Sequence, residues 1–249
     1  MGIGRTRPRI EYLFWPKVWD TYRETVERYA SRPDVVSVCD VGGGANPTLD
    51  LPTVERHGLD YTVVDVSEDE LAKTPPGYRT VCGDIISPGL LGNEQFDLVC
   101  SSQVAEHVAD AAAFHSAVLR MLRPGGHTIH MFPALGTLPF ALNRLLPERL
   151  TDRILSLFQE GRDREGSHAK FPAYYRWCLG PVNRQIERLE QLGYVVNEYI
   201  GFFGHGYYRR IRPLDRLEQE KSYRLLKRPI PALSSYAVIV LERPTDAAP

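Results

Sequence analysis

The residues most able to do chemistry sit where the first apolar run ends: Cys39-Asp40-Val41-Gly42-Gly43-Gly44-Ala45-Asn46-Pro47. Successive glycines after a strand let the main chain turn sharply and let a ligand approach it closely. Asp65 and Val66 end the second apolar run, and Cys82-Gly83-Asp84-Ile85 ends the third. The fourth ends in Ser101-Ser102-Gln103, with Glu106-His107-Val108 just beyond. A carboxylate in the place of Asp65 can accept both hydroxyls of a ribose. Polar groups at four consecutive strand ends make a row along one sheet edge. Core packing does not require such a row, and a bound cofactor does.

Histidine is the usual base for activating an alcohol, and the chain has seven. His107 follows the fourth strand and is the first candidate. His130 lies inside the fifth strand, where it reads as core or as catalytic. His168 sits in Gly166-Ser167-His168-Ala169-Lys170-Phe171-Pro172, read as a lid loop or a solvated one. His205 lies in the glycine-flanked Gly204-His205-Gly206. Tyr174, Tyr175, Arg176 and Trp177 suit a sugar or another polar ring, or form an aromatic core under a cap. Arg209–Arg228 holds eight basic and three acidic residues. It reads as a solvated helix face or as a surface for an anionic or glycolipid substrate.

The elements that must position these groups alternate. Val35–Val41, Tyr61–Val66, Tyr78–Cys82, Phe96–Ser101 and His127–Phe132 read as strands buried on both faces. Asp110–Leu122 reads as a helix between them, stopped by Arg123-Pro124-Gly125-Gly126. Lys17–Ala30 reads as a helix outside the sheet. Pro181–Leu192 reads as an amphipathic helix, with late strands at Tyr194–Ile200 and Ser235–Leu241. Strand–helix alternation implies an α/β, doubly wound, mostly parallel sheet. A single domain over 1–249 is expected, with its core at about 34–132, 181–200 and 234–243. Excursions at 1–33, 133–180 and 201–233 read as helical caps, substrate walls or a homodimer interface.

Composition narrows the classes. Among 249 residues, 43% are hydrophobic and 24% charged, as in ordinary globular chains. Formal net charge is −1 (30 basic, 31 acidic), so no global pull toward nucleic acid or anionic membrane is expected. No apolar run reaches membrane-spanning length, and the N-terminus lacks a secretory signal's apolar region. Cys39, Cys82, Cys100 and Cys178 lack zinc spacing and read as core thiols in a reducing cytoplasm.

Over residues 34–132 the motifs resemble the class I S-adenosylmethionine (SAM)-dependent methyltransferases, especially the small-molecule branch with the ubiquinone/menaquinone methyltransferases. Asp40, Gly42 and Gly44 match the family's acidic-x-Gly-x-Gly loop. Asp65, Gly83-Asp84, Glu106–Val108 and Leu122–Gly126 match its later motifs. The family's third loop glycine is Asn46 here. The resemblance implies a seven-stranded Rossmann-like sheet. It places Gly42, Gly43, Gly44 and Asn46 under the methionyl part of SAM and Asp40 near its amino end. It puts Asp65 with Val66 at the ribose, Asp84 with Ile85 at the adenine, and Ser101, Ser102 and Gln103 on the far side.

Residues 130–148 are similar, over a shorter stretch, to actinobacterial methyltransferases of glycan pathways, including one family acting on mannose-containing polysaccharides. The expected function is therefore O-methylation of a hydroxyl on a sugar, oligosaccharide or related small molecule, with S-adenosylhomocysteine as co-product. The alternatives are C- or N-methylation of a quinone or other secondary metabolite, a catalytically silent SAM-binding module, and a nicotinamide dehydrogenase. Pro47 fits the dehydrogenase fingerprint poorly, and Asp40 would repel a pyrophosphate. Some sugar methyltransferases use Mg²⁺, but no carboxylate cluster here assigns it.

Overall fold

The computed structural model describes residues 7–137 and 172–245. Within them, one sheet holds β1 (Arg9–Phe14), β2 (Ser37–Val41), β3 (Asp60–Asp65), β4 (Arg79–Cys82), β5 (Phe96–Ser102), β6 (Leu122–Pro133), β7 (Val195–Phe203) and β8 (Tyr236–Glu242). Their order is β1-β7-β8-β6-β5-β2-β3-β4. Every neighbouring pair is parallel except β6–β8 and β7–β8. Helices α1 (Val18–Ala30), α2 (Leu51–His57), α3 (Glu68–Leu71), α4 (Ala111–Met121), α5 (Asn183–Gln191) and α6 (Arg212–Lys227) connect or cover them.

The buried runs make the central strands. All five residues of β2 are buried, as are Tyr236 to Leu241 of β8. Helix α1 buries Val18, Tyr22, Val26 and Tyr29, whose spacing of four, four and three puts them on one face. That face packs on β5, β6 and β8. Two helix starts near the sheet are capped by side chains: in α2 Asp50 accepts from the Thr53 amide at 3.0 Å, and in α4 Asp110 accepts from the Ala113 amide at 2.9 Å.

The sheet has eight strands where seven were expected. The extra one, β1, adds to the outer edge of β7, from Arg9 opposite Glu198 to Phe14 opposite Phe203. An edge strand pairs on one side only and keeps Arg9 and Ile10 exposed, so its sequence lacks the continuous apolar run of the buried strands. Arg123–Gly126 falls within the bounds of β6, but the register against β5 jumps there, from Phe96 opposite Leu122 to Leu98 opposite His127, and Gly125 turns with φ +82°. Gly125 donates its amide to the Arg243 carbonyl at 2.7 Å, and Arg243 returns a bond to Gly126 at 2.8 Å.

Only β8 runs against the others. The carboxyl ends of the other seven strands and the amino end of β8 therefore share one edge. β2 lies between β3 and β5, where the connections part to opposite sides, and open α/β sheets bind ligands outside such a point.

Candidate active site

At the end of β2 the chain turns through Gly42 (φ +75°) and Gly44 (φ +36°). A Cβ at Gly42 would overlap the Val104 side chain, and one at Gly44 would lie 2.9 Å from Asp65 Oδ2. The loop therefore lies flat between the ends of β3 and β5, with Asn46 donating its amide to the Gly43 carbonyl at 2.8 Å.

Asp40 is not a ligand-facing acid. It is 1% exposed. It accepts from the Thr48 amide (2.7 Å), the Thr48 hydroxyl (3.1 Å), the Tyr61 hydroxyl (2.8 Å) and the Cys100 thiol (3.5 Å). Its side chain is turned inward on a fully buried strand, so it ties the far end of the glycine loop back to the sheet. Burial pushes its carboxyl above the ordinary value, partly offset by the Thr48, Tyr61 and Cys100 bonds.

Asp65 is half-buried. Oδ1 accepts from the Ser67 amide at 2.9 Å, and Oδ2 lies against Gly44. Burial, then the Glu70 charge, raises its pKa. Val66 beside it is 52% exposed, a large apolar group facing solvent at the sheet edge. Asp84 is exposed and accepts from the Ile86 amide at 2.9 Å, while Ile85 is buried. Gln103 is exposed, with φ +56° and its amide on the Met131 carbonyl at 2.8 Å; Ser102 is partly exposed.

Ser101 and His130 leave the expected site. Both are fully buried in register across β5 and β6. The Ser101 hydroxyl is 2.7 Å from His130 Nδ1, and the Thr128 hydroxyl is 3.0 Å from Nε2. Burial, reinforced by His115, drives the His130 pKa well down, so the ring is a neutral core group. His168 lies outside the described residues.

His107 stands in a 3₁₀ turn, Ala105–His107, beyond β5, with 37% of its side chain exposed. Nδ1 is 3.2 Å from the Pro172 carbonyl. A carbonyl only accepts, so Nδ1 carries the hydrogen and Nε2 the lone pair. Nε2 is 3.9 Å from Oε1 of Glu106. In the sequence Glu106 stands out only as part of a motif read for its histidine. Its carboxyl is buried and pushed by that burial to about 8.

The aromatic cluster divides. Tyr174 and Tyr175 donate their amides to the Glu106 carbonyl at 2.7 and 2.9 Å. Arg176 is exposed. Trp177 turns away and stacks on His115 at 6.0 Å. His205 is 2% exposed and directed at α6, with Nε2 3.6 Å from Glu218 Oε1 and Nδ1 accepting from the Tyr207 amide at 3.3 Å. Burial lowers its pKa to about 4.

Other aromatics occupy this half of the edge. Tyr207 is hydrogen-bonded to Tyr236, whose ring lies 5.6 Å from Trp19, itself 6.3 Å from Trp15. These four residues come from three distant segments, so no local motif marks them. Among the described residues no group of three or more His, Cys, Asp or Glu could hold a metal ion, and no helix is long and apolar enough to cross a membrane.

Comparison with known proteins bears on the family and the fold. A family model described as "Methyltransferase domain" matches residues 39–130. A ubiquinone biosynthesis O-methyltransferase of Paramagnetospirillum magneticum is 32% identical over 100 residues, covering 36% of this chain and 38% of that protein. One from Rhizobium rhizogenes is 32% identical over 107 residues, covering 39% and 41%. The match thus spans about two fifths of these relatives. Among solved structures, a SAM-dependent methyltransferase of Mesorhizobium loti aligns with TM-score 0.52 at 20% identity, over 90% of this chain and all (100%) of that one. Phosphoethanolamine N-methyltransferase 2 of Haemonchus contortus, solved with SAM, aligns at 0.54 and 18%, over 91% and 53%. At such identities the likeness is one of fold.

Proposed function

We propose that this chain, whose residues 39–130 match a methyltransferase-domain family model and whose fold is like that of solved SAM-dependent methyltransferases, transfers a methyl group to a hydroxyl of a small-molecule acceptor. The observation that carries the reading is one edge shared by the glycine loop, Asp65 and a histidine whose tautomer suits a base. The residues fit the cofactor. Gly42 and Gly44 leave no room for a Cβ where the loop lies flat, Asp65 offers a carboxylate at the end of β3, and Val66 presents an uncovered apolar face. When bound, SAM supplies an electrophilic methyl on sulfur.

The chain's own part is positioning and proton removal. As the acceptor oxygen gains its methyl group, its proton passes to Nε2 of His107. The Pro172 carbonyl keeps Nδ1–H in place, and the partly exposed ring then returns the proton to water. Asp84 and Ile85 remain our assignments for the adenine, and Ser102 and Gln103 for the far side of the cofactor. The 201–233 excursion supplies an acceptor wall through Tyr207, and we place the enzyme in the cytoplasm.

We favour a polyol or sugar, because buried oxygens without partners gather at the ends of β5, β6 and β8, on Glu106, Thr137 and Ser235. A quinone-like ring is the second reading, favoured by the Trp15, Trp19 and Tyr236 wall and by the names of the relatives. Calorimetric titration with S-adenosylhomocysteine and, separately, NADH tests the cofactor. Binding of the first, weakened in Asp65→Ala, supports the reading. Binding of NADH alone overturns it.

A further inference from the structure

Glu106 is a buried acid with no part in the proton transfer described above. Its residue is 4% exposed, and Oε2 is buried without a hydrogen-bond partner. Oε1 lies 3.9 Å from His107 Nε2, beyond hydrogen-bond reach. An orphaned buried oxygen destabilises a fold, so where one persists a function is the first explanation to test. The backbone here is strained as well. The three non-glycine residues with positive φ among the described ones are Gln103, Tyr175 and Trp177. Gln103 leads into the Glu106 turn, and Tyr175 donates its amide to the Glu106 carbonyl. Strain of this kind collects at sites that hold a ligand.

Among the described residues the titratable groups in the field of this carboxyl are His107, Cys178 and Tyr236, none of them a permanent cation. Burial therefore dominates and raises its pKa to about 8. Near neutrality the group is protonated and can both donate and accept, as a hydroxyl does. The 3.9 Å gap to Nε2 is too wide for the two groups to bond each other. It is narrow enough that one molecule with adjacent oxygens can bond both.

We propose, resting on the methyltransferase reading, that Glu106 contacts the acceptor directly: it bonds one of two adjacent hydroxyls while His107 takes the proton of the other. The acceptor class is then a vicinal diol, and Glu106 selects it against monohydroxyl compounds. The diol belongs to an alicyclic polyol or to an aromatic ring, and the two sources are separable by experiment.

The full chain, free and loaded with S-adenosylhomocysteine, is titrated with myo-inositol and with catechol; cyclohexanol and phenol serve as controls. One diol is expected to bind at least tenfold tighter than its control. Glu106→Leu should abolish that preference, Glu106→Gln should keep it within about threefold, and neither should change S-adenosylhomocysteine affinity. Glu106→Ala replaces the leucine variant if that fails to fold. The diol that binds identifies the source. The proposal is overturned if neither diol binds, or if the apolar variants bind the diol as the wild type does. If S-adenosylhomocysteine fails to bind, the cofactor reading falls, and the titration of the unloaded protein judges Glu106 by itself.

Discussion

The two halves of the ligand edge are built on opposite principles. At β2, β3 and β4 the polar groups are largely satisfied by the chain, as the four bonds to Asp40 show, while the apolar Val66 is left uncovered. At β5, β6 and β8, among the described residues, Glu106, Thr137 and Ser235 keep buried polar atoms without hydrogen-bond partners, beside the partly exposed rings of Trp19 and Tyr174. The first half lacks an apolar cover and the second lacks hydrogen bonds. The proposed function answers both with one bound pair: a flat cofactor ring on one side and a hydroxylated acceptor on the other.

The largest effect should come from the residue at the seam. His107→Ala should lower the rate of methyl transfer by about 10²–10⁴-fold, the usual worth of a positioned base. S-adenosylhomocysteine affinity should stay the same, because His107 is assigned to the acceptor side. Stopped-assay kinetics beside calorimetry would read both. A parallel loss of cofactor affinity would erase the distinction between the halves.

Next is the pH dependence of stability. The Glu106 carboxyl is raised from 4.5 to about 8 in the folded chain. Between those values the unfolded chain has lost its proton and the folded chain keeps it. The contribution of this one group to stability then falls as pH rises through that window, by on the order of 1.4 kcal/mol for each pH unit. Glu106→Gln should remove this fall, seen as a flatter denaturation midpoint from pH 6.5 to 8, above the range in which the buried histidines oppose it. On the acid side, His115 and His205 are both lowered to about 4 by burial. Stability should therefore drop as pH falls from 6.5 toward 4, in wild type and variant alike.

Asp65→Ala comes third. Losing a charged acceptor typically costs about 1.5–3 kcal/mol, so cofactor affinity should weaken by roughly ten- to a hundredfold. The acceptor should bind as before, which measures how independent the two halves are.

The halves also differ in how far the sequence reveals them. The cofactor half is legible because short segments carry it. Glycines must follow β2 where a Cβ would strike Val104, and an acid must close β3. Asp40 and Ser101 are visible as polar residues at strand ends, but β2 and β5 are buried on both faces, so neither phase of the alternation brings these side chains to the edge. The acceptor half is assembled from residues 15, 19, 106, 175, 207 and 236, which no local period links. His130 shows the same limit, since a histidine in a buried strand reads alike whether it serves core or catalysis until its Ser101 and Thr128 partners are seen. The eighth strand escapes the pattern because an edge strand needs no apolar run.

Val66 gives the smallest and most discriminating test. Its side chain is 52% exposed although it follows a strand whose residues Tyr61 to Val64 are buried. A cofactor ring lying on it would cover roughly half a valine, about 1 kcal/mol at the usual value for apolar burial. Val66→Ser should therefore weaken S-adenosylhomocysteine about fivefold. Adenosine alone should lose affinity by the same factor, and methionine should lose none. Equal losses for adenosine and methionine would mean that Val66 acts through the loop, not through the ring. The contrast between an uncovered apolar half and an unpartnered polar half would then rest on Glu106 alone.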